Sequence, residues 1–307
     1  MSARRVASAV LILGVLVSGC TRTPSGGPAA PTAASHAPAS HAPASAAGSG
    51  TAGSGTAAAS GNYLALGDSV VFGYRPPKVT PIEDYLQPSR FTGYPSDLAR
   101  ALGLTVVNAS CPGETTASMI STSAPSYGCE NAPGSPVAYR TLAPLHVSYQ
   151  GSQLSFAVHF LEQHRAASLV TLTIGANDLF RCQDTTADHC TGSDFRRELA
   201  QVRANLDTIL ATLRAHYRGN LIMLTYYALD YRDAGPTEQL NAVLTAQARR
   251  YKARIVSGFT AFAPAADREG GDTCATGLLI KLPGGSCDEH PSAAGQALLA
   301  KAIERIL

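Results

Sequence analysis

The run Leu169-Val170-Thr171-Leu172-Thr173-Ile174 is apolar or β-branched at every position. A strand with one wet face alternates polar and apolar residues. A strand covered on both faces need not, and such strands sit in parallel sheets between layers of helix. Residues 63–66, 105–108, 221–225 and 254–256 are shorter runs of the same kind, giving five strands. Between them lie helical patterns. Phe195, Leu199, Val202, Leu206, Ile209 and Leu213 recur at alternating spacings of four and three, one face of a long helix. Residues 154–164 and 237–251 also read as helices, and Ser292 is a suitable N-cap for a closing one. The alternation predicts an α/β domain over residues 61–307: a three-layer α/β/α sandwich around a mainly parallel five-stranded sheet. In such sheets, sites gather beyond the carboxyl ends of the strands.

The first sixty residues follow other rules. Arg4 and Arg5 precede an apolar stretch, residues 6–17, that is shorter than the about 20 residues of a membrane span. Ser18, Gly19 and Cys20 follow, and V-S-G-C resembles the lipobox of bacterial lipoproteins. That resemblance implies a signal peptide over residues 1–19 and a lipid anchor on Cys20, which would hold the protein at a membrane. The alternatives are an ordinary secretory signal beside an incidental Cys20, or a twin-arginine signal. Residues 21–60 are Gly, Ala, Ser, Pro or Thr except for Arg22, His36 and His41, a composition without a core. Residues 20–60 thus read as a lipidated cysteine and a disordered tether. Export would place the domain in the cell envelope or outside the cell. Six cysteines then remain: Cys111, Cys129, Cys182, Cys190, Cys274 and Cys287. An even number in an exported domain suits disulfides. Of the fifteen possible pairings, the nearest-neighbour set 111–129, 182–190 and 274–287 is the simplest. The spacings match no structural zinc pattern.

The formal charge is +2, and without residues 1–19 the 22 remaining basic residues balance 22 acidic ones. A nucleic-acid partner, which calls for a basic surface, is not expected.

Chemistry-bearing residues fall where the strands end. Gly67-Asp68-Ser69 closes the first strand, and Asn108 to Thr115, containing Gly113, follows the second. Gly175-Ala176-Asn177-Asp178 follows the third, and Asp288-Glu289-His290-Pro291 precedes the last helix. Together they offer a hydroxyl, a backbone amide, a carboxamide and an imidazole, the equipment of acyl transfer. Asp68 and Asp178 read as loop-orienting or capping residues. His146, His159, His164, His189 and His216 fall in no motif.

On these four blocks (G-D-S, N-x-x-x-x-G-x-T, G-x-N-D and D-x-H-P) the chain resembles the SGNH (GDSL) hydrolase superfamily over essentially all of residues 61–307. The resemblance implies a flavodoxin-like fold and a serine esterase or lipase acting through an acyl-enzyme. Ser69 would be the nucleophile and His290 the general base. The Ser69 N–H, the Gly113 N–H and the Asn177 side chain would form the oxyanion hole. The commoner family spacing puts the acid three residues before the histidine, where this chain has Cys287. Asp288 is therefore assigned to orient His290, with a backbone carbonyl as the alternative. An envelope acyltransferase using the same site, or a non-catalytic binding lipoprotein, are the other readings. The expected partner is a small-molecule, lipid or glycan ester. The rings of Phe72, Tyr74, Tyr85, Tyr127 and Tyr139, in residues 72–93 and 121–151, are candidates to wall the cleft. No cofactor or metal is expected, and the chain is expected to be a monomer.

Overall fold

The computed structural model describes residues 61–307. The expected signal peptide, Cys20 and the tether lie outside the described residues. The described part begins with β1 (Asn62–Gly67), α1 (Ser69–Phe72), two 3-10 turns (Ile82–Leu86 and Pro88–Arg90), α2 (Tyr94–Leu102) and β2 (Thr105–Asn108). It continues through α3 (Thr116–Ile120), α4 (Tyr139–Leu142), α5 (Gln153–Gln163), β3 (Leu169–Thr173), α6 (Ala176–Thr185) and α7 (Gly192–His216). Next come β4 (Asn220–Thr225), α8 (Gly235–Arg250), β5 (Arg254–Ser257) and α9 (Gly258–Arg268). A hairpin of β6 (Leu279–Lys281) and β7 (Cys287–Pro291) precedes α10 (Ala293–Glu304).

All five expected strands form one sheet in the order β2-β1-β3-β4-β5, and every pairing is parallel. β3 is buried at all five positions, which is why its sequence lacks alternation. The order also sorts the helices. From β1 the chain steps one way to β2, then returns and steps the other way through β3, β4 and β5. Right-handed crossovers in opposite directions place their helices on opposite faces. Accordingly, α2, α9 and α10 pack together as one layer, while α3, α5, α6 and α8 gather around α7 in the other. In α7 the predicted stripe buries Val202, Leu206, Ile209 and Leu213, whereas Phe195 and Leu199 near its start are half-covered.

The point where the chain reverses direction lies between β1 and β3. Adjacent carboxyl ends there feed loops that diverge, leaving a crevice. Ser69 follows β1 and Asn177 follows β3, so both sit at its mouth. Ser292 caps α10 as expected, its side chain accepting from the Gly295 N–H.

The disulfides are Cys111–Cys129, Cys182–Cys190 and Cys274–Cys287, the nearest-neighbour set, with Cα separations of 5.6, 5.1 and 5.6 Å. They fit an exported protein.

Candidate active site

The turn that presents Ser69 depends on a close approach of β1 to β3. Gly67 has φ +140°, and a Cβ there would stand 2.0 Å from the Thr173 carbonyl oxygen. Only glycine leaves room, and the Asp68 N–H reaches that same oxygen at 3.3 Å. Asp68 then caps α1, its Oδ1 accepting from the Val70 N–H at 3.0 Å. Its Oδ2 accepts from the Tyr226 hydroxyl. Burial pushes the Asp68 carboxyl up to about 6, moderated by Tyr226, the Val70 N–H and the nearby His290. Asp68 is thus a capping residue, as expected. Ser69 is the first residue of α1 and is 8% exposed.

The loop after β2 is strapped to this turn. Asn108 donates from Nδ2 to the Val71 carbonyl at 3.0 Å and accepts from the Ser110 N–H at 3.1 Å. The Cys111 N–H donates to the Gly67 carbonyl at 3.1 Å. Gly113 has φ +79°, and a Cβ there would meet Gly128 and the Tyr127 carbonyl at 2.6 Å. The Cys111–Cys129 bridge holds those two segments face to face. Among the described residues, neither the Ser69 N–H nor the Gly113 N–H donates to a protein acceptor.

Asn177 lies in the first turn of α6 and donates from Nδ2 to the Glu114 carbonyl at 3.0 Å. An amide nitrogen carries a second hydrogen, which that bond leaves free. Asp178 accepts from the Thr116 N–H at 2.9 Å and from the Thr116 hydroxyl at 2.5 Å. It therefore ties α6 to the first turn of α3 rather than capping its own helix.

His290 is on strand β7, just before the last helix. Side chains two apart on a strand share a face. Asp288 and His290 consequently point the same way, and Oδ1 stands 2.5 Å from Nδ1. Strand geometry makes a D-x-H spacing work, and the imidazole is held by a carboxylate rather than a backbone carbonyl. Burial alone would lower the His290 pKa. The hydrogen bond that Nδ1 donates to Asp288 and the charges of Glu289, Asp288 and Asp68 outweigh it, so the ring is held above its ordinary value. β7 packs against α1, and Tyr227 fixes the strand by donating to the Glu289 carbonyl at 2.7 Å. No hydrogen bond joins Ser69 Oγ to His290 among the described residues. Catalytic hydrogen bonds commonly tighten only when substrate binds.

Four of the five expected rings form one cluster, which touches His290 through Tyr74. Tyr74 lies 5.0 Å from the imidazole, centroid to centroid, and 6.0 and 6.2 Å from Tyr85 and Tyr139. Phe72 meets Tyr139 at 5.3 Å. Tyr127 does not join them: it packs on Phe180 at 6.0 Å and donates to Asp184. Phe91 and His146 complete the cluster and were not foreseen. His146 meets the Phe72 carbonyl, and burial lowers its pKa. His159, His164, His189 and His216 bond to neighbours on their own side of the fold. Cys111 and Cys129 stand near Glu114, but as a disulfide they offer no thiolate to a metal.

The sequence model of the GDSL-like lipase/acylhydrolase family matches residues 65–298. The chain belongs to that family. As a GDSL-family protein it is a carboxylic ester hydrolase, and its substrates are small-molecule, lipid or glycan esters. A search of curated proteins gives no match. Three solved structures share the fold of this GDSL hydrolase. Phospholipase A1 from Streptomyces albidoflavus NA297 is 21% identical with a TM-score of 0.51, covering 80% of this chain and 99% of its own. An extracellular lipase from Streptomyces rimosus is 18% identical with a TM-score of 0.51, covering 81% and 100%. LAE5, an alpha/beta hydrolase enzyme from the metagenome of Lake Arreo, Spain, is 18% identical with a TM-score of 0.50, covering 81% and 95%.

Proposed function

We propose that this GDSL hydrolase is a serine esterase that cleaves esters of apolar acyl chains through an acyl-enzyme on Ser69. The observation that carries the reading is the Asp288–His290 pair on β7, packed against the helix that begins with Ser69. His290 Nε2 takes the Ser69 hydroxyl proton as Oγ attacks the ester carbonyl carbon. The carbonyl oxygen becomes an oxyanion that accepts from the Ser69 N–H, the Gly113 N–H and the Asn177 amide. The intermediate collapses, the C–O bond to the alcohol breaks, and His290 returns the proton to the leaving oxygen. Water, deprotonated by His290, then attacks the acyl-enzyme and frees the acid and Ser69.

The acyl preference rests on the loops. Tyr74, Tyr85 and Tyr139 line the approach to His290, with Phe91 buried behind them. The same loops expose Ile82, Leu86 and Leu142, with fractional exposures of 57, 65 and 62%. An apolar wall and rim favour a chain that leaves water. Two proteins of the same fold are named as a phospholipase A1 and a lipase, in line with this choice. On a chromogenic ester series, kcat/KM should rise at least tenfold from acetyl to octanoyl, since each buried CH2 is worth about 0.8 kcal/mol. A maximum at acetyl would contradict the assignment.

We also propose that Cys20 carries the lipid anchor and residues 21–60 the tether. Cys20→Ser should then move the protein from the detergent phase to the aqueous phase in Triton X-114 partitioning. Equal partitioning of both proteins would contradict the anchor.

A further inference from the structure

Glu114 is nine-tenths or more buried in the loop that carries Gly113, and the proposed mechanism gives its carboxyl no part. That carboxyl is nonetheless a junction. Oε2 accepts from Gln153 Nε2 at 2.9 Å, and Oε1 accepts from the Ser118 hydroxyl. Gln153 in turn grips both backbone groups of Gly67: its Oε1 accepts from the Gly67 N–H at 2.6 Å, and its Nε2 donates to the Gly67 carbonyl at 3.0 Å. Gly67 is two residues before Ser69. On the other side, the main-chain carbonyl of Glu114 receives Asn177 Nδ2. One residue therefore joins the turn that presents the nucleophile to two of the three proposed oxyanion donors.

Its surroundings disfavour a charge, since among the described residues no cation forms an ion pair with it. Oε2 lies 3.5 Å from Cys129 Sγ. That sulfur belongs to a disulfide and carries no hydrogen, so it has nothing to donate to a carboxylate. The charged and titratable groups facing Glu114 are few. Arg140 and Glu130 form an ion pair with each other, Tyr149 packs behind, and Asp178 meets the chain two residues on at Thr116.

We propose that Glu114 is a positioning residue that works as a neutral acid, fixing the Gly67–Ser69 turn through Gln153, and that its ionisation disables the oxyanion hole. The proposal rests on the Ser69 reading above. A carboxylate in this place would face a disulfide sulfur that cannot donate to it and would set a negative charge beneath donors that must stabilise another. Burial, opposed by Ser118 and Gln153, pushes the carboxyl up to about 8, which puts the transition within reach of assay.

The test compares kcat/KM from pH 6 to 10 for wild type, Glu114→Gln and Glu114→Ala on octanoyl ester, with Ser69→Ala as the blank. Wild type should lose at least tenfold between pH 7.5 and 9.5. Glu114→Gln, which is neutral at every pH, should lose less than twofold over that range and exceed Glu114→Ala at least tenfold at pH 7. No alkaline loss in wild type, or the same loss in Glu114→Gln, would overturn the proposal. So would Gln failing to rescue Ala. Full activity in Ser69→Ala would instead defeat the Ser69 reading, so the two failures are distinguishable. Thermal melts give a second readout. The folded carboxyl keeps its proton to about pH 8, and the unfolded one only to about 4.3. Wild type should therefore lose stability relative to Glu114→Gln as pH rises between those values. Parallel melting curves across that window would also overturn the proposal.

Discussion

Replacing Asp288 by asparagine is expected to lower kcat by about 10⁴, the scale seen when a serine-histidine pair loses its supporting carboxylate. The reason is local. Asp288 Oδ1 fixes Nδ1 as the protonated nitrogen of His290, leaving Nε2 free to accept a proton. An asparagine that turns its NH2 toward Nδ1 stabilises the opposite tautomer, with the proton on Nε2. The substitution should also move the acid limb of the pH profile. His290 is held above the ordinary histidine value of about 6.5, with Asp288 among the causes. Only the neutral ring acts as a base, so kcat/KM in wild type should rise with a midpoint above that value. Removing the carboxylate removes an influence that favours the charged ring, so the midpoint should fall. The checks are kcat at pH 7.5 and the kcat/KM profile from pH 5 to 8. Asparagine activity within tenfold of wild type, with the same midpoint, would leave Asp288 no role in orienting His290.

Much of the framework that makes this possible was legible in the sequence, for a physical reason. Strands buried on both faces admit few polar positions, so 63–66 and 169–174 announce themselves as runs without alternation, their only polar groups being the Tyr63, Thr171 and Thr173 hydroxyls, which the Tyr63–Thr171 pair and Tyr94 satisfy. The long stripe from Val202 to Leu213 does so by its period. What the sequence hid is polar and tertiary. β6 and β7 pair Leu279 with Pro291 and Lys281 with Cys287, and no apolar alternation marks them. Their hairpin is closed by the Cys274–Cys287 bridge instead. Without that strand, the spacing of Asp288 and His290 could not be judged, because it depends on which face each side chain takes. α9 carries Pro264 inside it, a residue that argues against a helix until tertiary packing overrides it. Gln153 and Glu114 look like ordinary surface residues until the fold buries them against Gly67 and the 111–129 disulfide. Tyr127 shows the converse: its place in residues 121–151 suggested a wall of the cleft, but its hydroxyl finds Asp184 and the ring stays with α6.

Ser69→Ala should have the largest effect of all, a loss of about 10⁵ to 10⁶ in kcat, with little change in KM if binding comes mainly from the loops. The residual rate would come from the oxyanion donors and from substrate positioning, which the alanine leaves in place. The substitution is small and sits at the first residue of a capped helix whose Asp68 cap is untouched, so the fold should be retained.

The most direct measurement is covalent capture. Disulfide-intact protein would be treated with a fluorophosphonate ester, then digested and mapped by mass spectrometry, with turnover of an octanoyl ester followed in the same sample. The account predicts one adduct per chain, on Ser69, with activity lost in proportion to labelling and no adduct in Ser69→Ala. Full labelling at another residue, or undiminished turnover with Ser69 fully modified, would contradict it.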